Sequence, residues 1–562
     1  MLEALQETGV SYLFCNLGSD HQAIIEALAK AKRENRKLPK PILCPHEFVA
    51  LSAAYGHTMI SGQPQAVIVH TDVGTINLGG ALHNVARSQM PVFIFSGETP
   101  YTLEGELRGT RNININNTQD VFDQRGIVRN YMKWDYSIRT GRNVKQLVYR
   151  GMQLATSAPM GPVYLSGARE VMEEELHPDP RPYKGWSPIE PIPLPRQAAE
   201  EMIDALLAAE RPLLITSSVG RNVKAVPLLV ELCEKLAIPV IENIPKYMNF
   251  PTDHDLHVGY QGADWIRQAD VIVVIEAETP WMNSVVQPSD QCKVYYIDMD
   301  PLKEDIPLWY YRSEKFCRAD SYEALKLLNA VADQKHLPQE RIAERRKRIA
   351  DIHRKLQEEW QRQAKPAGSA ITPQWLAACV KDILDEDTIV LNESISGMDA
   401  VHKYVPRNVP GCFYTNGGSS LGWSGGASIG AKLARPDKHI VTLVGDGSYF
   451  FGVPSVVHWM ARRYQTPFLT VIFNNQGWNA TKQNYLGLYP DGLAHQMDSY
   501  WVNFEQPANL AHVAEAAGGA YAETVHDAEQ LPAALRRGME EVRKGRAAVI
   551  DVRMQKVSNQ QD

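Results

Sequence analysis

Two apolar runs constrain this chain more than anything else in it. Ile440 to Val444 reads as a buried strand and empties into Gly445-Asp446-Gly447-Ser448; Phe468 to Phe473 reads as a second and empties into Asn474-Asn475-Gln476-Gly477. Short unbroken runs of this kind fit parallel strands covered on both faces. Such strands end on one carboxyl edge, where ligands bind, so Asp446 and Asn475 are placed to face one site. A carboxylate, an amide oxygen and a backbone carbonyl at Gly477 are hard oxygen ligands, few enough to leave positions for water and phosphate oxygens. That set suits Mg2+ holding a diphosphate. The glycines let the backbone come close and free N–H groups for the anion.

A chain of 562 residues has room for three to four domains. Its net charge of −7, with both signs interspersed, gives no reason to expect nucleic acid. The strongest basic cluster, Arg345-Arg346-Lys347-Arg348, lies where Ile342, Ile349, Ile352 and Leu356 recur at helical spacing, so it reads as a solvated helix face. No apolar stretch is long enough to span a membrane and no signal-peptide pattern opens the chain, which predicts a cytoplasmic protein. Seven scattered cysteines without a Cys-x-x-Cys pair predict free thiols.

Apolar runs alternate with helical patterns from one end to the other. Runs at Tyr12–Phe14, Ala66–Val69 and Val92–Phe95 are followed by a Pro-rich stretch, His177–Pro195. Further runs at Leu213–Ile215, Val240–Ile241, Val271–Ile275 and Val294–Ile297 precede a charged helix and a third set of strands. The fold class expected is α/β, with three doubly wound parallel-sheet domains. The boundaries expected are a first domain over 1–170, a linker over 171–195, a middle domain over 196–335, a helical linker over 336–369 and a third domain over 370–562.

Together the two strand-and-turn pieces resemble the diphosphate-binding motif of thiamine diphosphate enzymes of the acetolactate synthase, benzoylformate decarboxylase and pyruvate decarboxylase-like group. The resemblance spans nearly the whole chain, in the order pyrimidine-binding, middle and diphosphate-binding domain. It implies thiamine diphosphate and Mg2+ as cofactors, with Asp446, Asn475 and Gly477 on the metal and Gly445, Gly447, Ser448 and Trp478 beside the cofactor. Glu47, which opens the apolar helical pattern Glu47-Phe48-Val49-Ala50-Leu51, would by itself be a helix-dipole partner. The resemblance makes it the cofactor-activating glutamate, whose carboxyl holds the aminopyrimidine tautomer that takes up a proton.

Further matches are piecemeal. Val69-His70-Thr71-Asp72-Val73-Gly74-Thr75-Ile76-Asn77 stands where the family has a glycine- and asparagine-containing loop; Gly74 and Asn77 match, and Val73 replaces a proline. In benzoylformate decarboxylases a histidine sits at the point of His70 and a turn serine at that of Ser19, which implies catalytic roles for both; each also reads as an ordinary loop histidine and turn serine. The second active-site histidine of that subgroup falls near Trp281 and is missing. Where acetolactate synthases carry a glutamine, the simplest alignment puts Asp123, with Gln124 one residue away. Asn392-Glu393-Ser394 is similar to the subgroup's turn, implying cofactor contacts for Asn392 and Ser394, and Leu421 aligns with the apolar wedge beneath the cofactor. Trp478 and Thr481 begin the helix expected over the pocket. Arg221, after a middle-domain run, reads as a surface arginine.

These resemblances imply a C–C lyase or transferase, a 2-oxo acid decarboxylase or carboligase similar to benzoylformate decarboxylase, acting on a small 2-oxo acid or related carbonyl compound as a homodimer or homotetramer without nucleic acid or membrane. The alternatives are an acetolactate synthase-like carboligase, a CoA-linked or hydroxyketone C–C lyase and, from another class, a catalytically silent subunit of the same fold.

Overall fold

The computed structural model describes residues 1–176, 186–260, 262–366, 368–504 and 508–557. Its strands form three parallel sheets. The first holds β1 (Tyr12–Cys15), β2 (Lys40–Leu43), β3 (Gln65–Val69), β4 (Val92–Glu98), β5 (Trp134–Ile138) and β6 (Val163–Ala168). The second holds β7 (Pro212–Thr216), β8 (Val240–Glu242), β9 (Val271–Ile275), β10 (Lys293–Asp298) and β11 (Lys315–Arg318). The third holds β12 (Thr388–Glu393), β13 (Phe413–Thr415), β14 (His439–Gly445), β15 (Leu469–Asn474), β16 (Tyr521–Val525) and β17 (Ala548–Arg553). The apolar runs become strands because β3, β9 and β15 are buried on both faces, as helix-covered parallel strands must be. The three α/β sheets match the fold class expected.

The strand orders are β2-β1-β3-β4-β6-β5, β11-β10-β9-β7-β8 and β13-β12-β14-β15-β17-β16. The first and third sheets have the same order, a duplication that the sequence, with no short-period repeat, does not display. In each, the chain reverses direction across the sheet between the first strand and the third, at β1/β3 and at β12/β14. Crevices for ligands open at such switch points.

The first and third sheets are joined by two crossing helices, Glu47–Ser61 and Trp423–Ala434. They touch at backbone distance: a Cβ on Gly56 would stand 2.2 Å from the Ala427 carbonyl oxygen, and one on Gly430 would stand 1.9 Å from that of Ala53. Tyr55 then packs on Trp423, ring centres 5.3 Å apart.

The middle and third domains share a buried ion pair. Arg407 donates to Glu242 Oε2 at 2.9 Å, and His257 Nε2 lies 3.1 Å from the same oxygen. Burial alone would raise the Glu242 carboxyl, but Arg407 and His257 outweigh it and hold the group at about 2. The guanidinium also lies over the rings of Tyr260 and Phe413.

Two basic residues differ from expectation. Arg345 on the Gln339–Gln363 helix is buried rather than solvated, donating to the carbonyls of Ala209 and Leu236 at the ends of two middle-domain helices. Helix C-termini leave carbonyls without partners, and a cation satisfies them. Arg221 is half-buried, with Nη1 on Gln89 Oε1 at 2.7 Å, so it ties the middle domain to the first. Of the linker expected at 171–195, residues 177–185 lie outside the described residues and 186–193 are exposed without regular structure. All seven cysteines are free, and among the described residues no helix is long and apolar enough to cross a membrane.

Removing one partner from a buried pair strands the other charge, so Arg407→Met is expected to cost about 3–5 kcal/mol of stability in denaturant unfolding. The same change made in a Glu242→Gln background is expected to cost far less.

Candidate active site

The third sheet assembles one cluster at its β12/β14 switch point. Strand pairing sets Asn392 beside Leu443, Glu393 beside Val444 and Gly445 beside Phe473, which brings the ends of β12, β14 and β15 together. Asp446 Oδ2 and Asn475 Oδ1 both accept the Gly477 N–H, at 3.0 and 3.2 Å. Burial pushes the Asp446 carboxyl up to about 6 against the pull of backbone donors, and among the described residues no cationic side chain pairs with it. Asn392 Oδ1 accepts from the Ser394 amide and hydroxyl, while its buried Nδ2 has no acceptor. A buried carboxylate without a cation and a buried amide donor without an acceptor fit a divalent ion with an attached anion. Gly447 is required for shape, because a Cβ there would enter the Trp478 ring at 2.1 Å. Trp478 is held edge-on by Phe504 at 5.1 Å and Phe451 at 5.9 Å. Ser448 is buried in the short helix that follows Asp446.

Leu421 is half-buried in a loop that is fixed from both sides. Glu393, fully buried, accepts the amides of Gly422, Trp423 and Ser424 at 2.7, 3.1 and 2.8 Å. Asn84 of the first domain donates to the Ser420 carbonyl at 2.9 Å and accepts its N–H at 3.0 Å. Neither Glu393 nor Asn84 stood out in the sequence as a supporting residue. The signal for Glu393 was a carboxylate at a strand end, 30 residues before a glycine-opened helix, and only the fold brings those together.

The first sheet assembles a second cluster at its own switch point. Glu47 is 6% exposed; its Oε1 accepts from Asn16 Nδ2 at 2.8 Å and its Oε2 from Asn77 Nδ2 at 3.2 Å. Gly74 lies beside this carboxyl, a Cβ there standing in ordinary contact with Oε1 at 3.5 Å. His70, at the end of β3, packs on the backbone of Gly18, where a Cβ would meet its ring at 2.2 Å. Its Nδ1 lies 2.5 Å from Asp20 Oδ1 and its Nε2 lies 2.9 Å from Gln119 Nε2. Asp20 raises His70 above the ordinary histidine value, against the opposing effect of burial. Ser19 stands in the same loop, half-buried.

Asp20, Gln119 and Asn16 were not singled out from the sequence. They sit in loops outside the apolar runs, and contact with Glu47 or His70 arises only when β1 and β4 pair with β3. Asp123 does not enter the site: it is exposed and bound to Arg129. Gln124 points into a buried cluster with Ser96, the Gly97 carbonyl and Tyr164. Thr481 is exposed, and Trp281 is middle-domain core against Tyr311. Among the described residues no hydrogen bond joins the Glu47–His70 cluster to the Asp446–Asn475 cluster.

The donor sets are those of an enzyme that binds thiamine diphosphate: a buried glutamate held by amides on one sheet, and hard oxygens beside a free amide donor on another. Residues 1–127 match the thiamine pyrophosphate enzyme N-terminal TPP binding domain, 199–306 the central domain and 394–552 the C-terminal TPP binding domain. The chain belongs to the thiamine pyrophosphate enzyme family, whose members use Mg2+ with this cofactor. It is 23% identical to the benzoylformate decarboxylase of Pseudomonas aeruginosa over 85% of this chain and 86% of that one. It is 22% identical to the acetolactate synthase large subunit of Lactococcus lactis, covering 90% and 85%. The structure of benzoylformate decarboxylase from Polynucleobacter necessarius superposes with a TM-score of 0.78 at 20% identity, covering 99% of this chain and 98% of that one.

Gly447→Val drives a side chain into Trp478. Thiamine diphosphate affinity with Mg2+, read by calorimetry, is expected to fall at least about tenfold, a loss of ~1.4 kcal/mol, with the far-ultraviolet circular dichroism unchanged.

Proposed function

We propose that this enzyme is a thiamine diphosphate- and Mg2+-dependent 2-oxo acid decarboxylase or carboligase, similar to benzoylformate decarboxylase. The observation that carries this reading is His70, which stands at the first sheet's switch point against the same 16–20 loop that holds Glu47, with its charge supported by Asp20. Bound thiamine diphosphate supplies a carbon nucleophile and an electron sink, which is what lets carbon dioxide leave a 2-oxo acid.

The chain's own residues bind, orient and move protons. Asp446, the Asn475 side-chain oxygen and the Gly477 carbonyl hold the metal, and Asn392 Nδ2 with the Gly445–Ser448 turn holds the diphosphate. Glu47, oriented by Asn16 and Asn77, holds the proton on the pyrimidine side. Leu421, on its pinned loop, would pack against the bound cofactor and help to orient it, a case of catalysis by orientation. Ser19 and His70 receive the substrate carboxylate and reacting oxygen, and His70 delivers the proton.

An acetolactate synthase-like reading is less favoured. The cavity of about 370 Å³ between the first and middle domains is lined by Glu276, Glu278 and Asp298 as well as Arg221 and Lys303, a poor match for a flavin dinucleotide's two phosphates. The departures at Asp123 and Val73 from the acetolactate synthase pattern point the same way.

The active unit is a homodimer, with Glu47 from one subunit and Asp446 from its partner. That no hydrogen bond joins the two clusters within a chain, among the described residues, supports this. So does uncovered apolar surface beside each: Leu488, Leu493, Met497 and Trp501 near one, and Leu107, Ile113, Ile115 and Phe122 near the other. The helices Asn479–Leu488 and Leu493–Met497 bury none of their residues.

Carbon dioxide release from a panel of aliphatic and aromatic 2-oxo acids is expected with thiamine diphosphate and Mg2+, to be lost in Glu47→Gln and to fall at least about a hundredfold in His70→Ala. Release that survives both changes rejects the reading. Mixing unfolded and refolded Glu47→Gln and Asp446→Ala chains tests the shared site. Hybrid dimers have one intact site, so about a quarter of wild-type activity returns; a site within one chain returns none.

A further inference from the structure

The side chains around His70 form a more specific device than a histidine beside an acid. Asp20 is buried at 4% exposure, and its Oδ2 also accepts the Thr71 N–H at 3.3 Å. Gly97 makes the room for it, since a Cβ there would stand 1.7 Å from Oδ2. The neighbouring His21 does not compete for the Asp20 proton contact, because its Nδ1 accepts the Gly18 N–H at 3.0 Å and its lone pair is therefore in use. Asp20 consequently fixes a proton on His70 Nδ1, which leaves Nε2 as the working nitrogen.

On the other side, Gln119 presents its Nε2 to that nitrogen at 2.9 Å, a donor to a neutral imidazole. Gln119 is 6% exposed and its Oε1 is buried without a partner. An orphaned amide oxygen on a side chain already touching a titrating nitrogen calls for an explanation. Turning the amide over exchanges its two ends, so that Oε1 accepts from His70 Nε2–H when the ring is protonated.

We propose that Asp20 and Gln119 are positioning residues of a proton-delivery unit, in which Asp20 fixes the Nδ1 proton and the Gln119 amide turns over to follow the charge of His70. The inference rests on the reading of His70 as proton donor. Decarboxylation of a 2-oxo acid anion to an aldehyde takes up one proton per turnover. That proton leaves His70 Nε2 for the substrate-derived atom, Gln119 then donates to the bare nitrogen, and solvent water restores the proton. The charged and titratable groups facing His70 are Asp20, His21 and Asp72. Its partner carboxylate raises the histidine, so the protonated, delivering form is lost as pH rises through the folded-state value and a weaker clamp loses it earlier.

The test reads His70 twice in the enzyme loaded with thiamine diphosphate and Mg2+: by hydrogen–deuterium exchange at the imidazole C2, followed by mass spectrometry across pH, and by the pH profile of kcat. Asp20→Asn is expected to lower the exchange midpoint of His70 by about one unit, and Gln119→Leu by about half a unit, with the alkaline limb of kcat moving down alongside. Gln119→Glu, an acceptor in either orientation, is expected to move both upward. A Gln119 side chain that did not reach the titrating nitrogen would give no such opposite displacement. Midpoints that stay within error of wild type in Gln119→Leu and Gln119→Glu overturn the inference, and these two variants decide it even where Asp20→Asn fails to fold. Shifted midpoints with an unmoved kcat profile and an active His70→Ala uphold the clamp and overturn the reading of His70 as proton donor.

Discussion

The crossing of the Glu47–Ser61 and Trp423–Ala434 helices is the contact on which the rest of the structure depends. Glycines at 56 and 430 remove the side chains that would hold the two backbones apart, and close approach multiplies weak dispersion contacts along both helices. The consequence is geometric. Glu47 opens one of these helices, and Leu421 stands two residues before the other, so one candidate residue of each cluster is fixed by the packing of rigid rods rather than by loops. Asn84 and Tyr55 extend the same seam, holding the 416–422 loop against the first domain.

Buried charge is used in two opposite ways. Glu242 and Arg407 satisfy one another inside the seam between the middle and third domains, and there the carboxyl stays ionised. Glu393 is as deeply buried, but its partners are three backbone amides at a helix start, and burial raises its carboxyl even so. Asp446 likewise has amide partners and, among the described residues, no cation, and it stands at the strand end beside Asn475. A cationic partner therefore separates Glu242 from the other two, since burial is common to all three.

The strands were legible in the sequence because parallel strands covered on both faces are continuous apolar runs, and Val271–Ile275 runs from end to end as read. The Asp446 and Asn475 turns were legible because they directly follow such runs. Arg345 was not, because helical periodicity places a residue on a face without saying what packs there; the carbonyls of Ala209 and Leu236 come from segments more than a hundred residues earlier. Asp20 and Gln119 were hidden for the same reason. The spacing between His70 and Gln119 has no local meaning until the first sheet folds the intervening chain back on itself.

What the sequence alone determined was the sheet class, the order of the three units and the chemistry available at each strand end, all set by local hydrophobic pattern and by residue type. Tertiary structure decided which of those residues meet: Asn16 and Asn77 on Glu47, Asp20 and Gln119 on His70, and Glu393 beneath the Leu421 loop. Hydrogen bonds and burial depend on distances across strands and domains. Those distances follow from strand order and helix packing, which no stretch of sequence contains by itself.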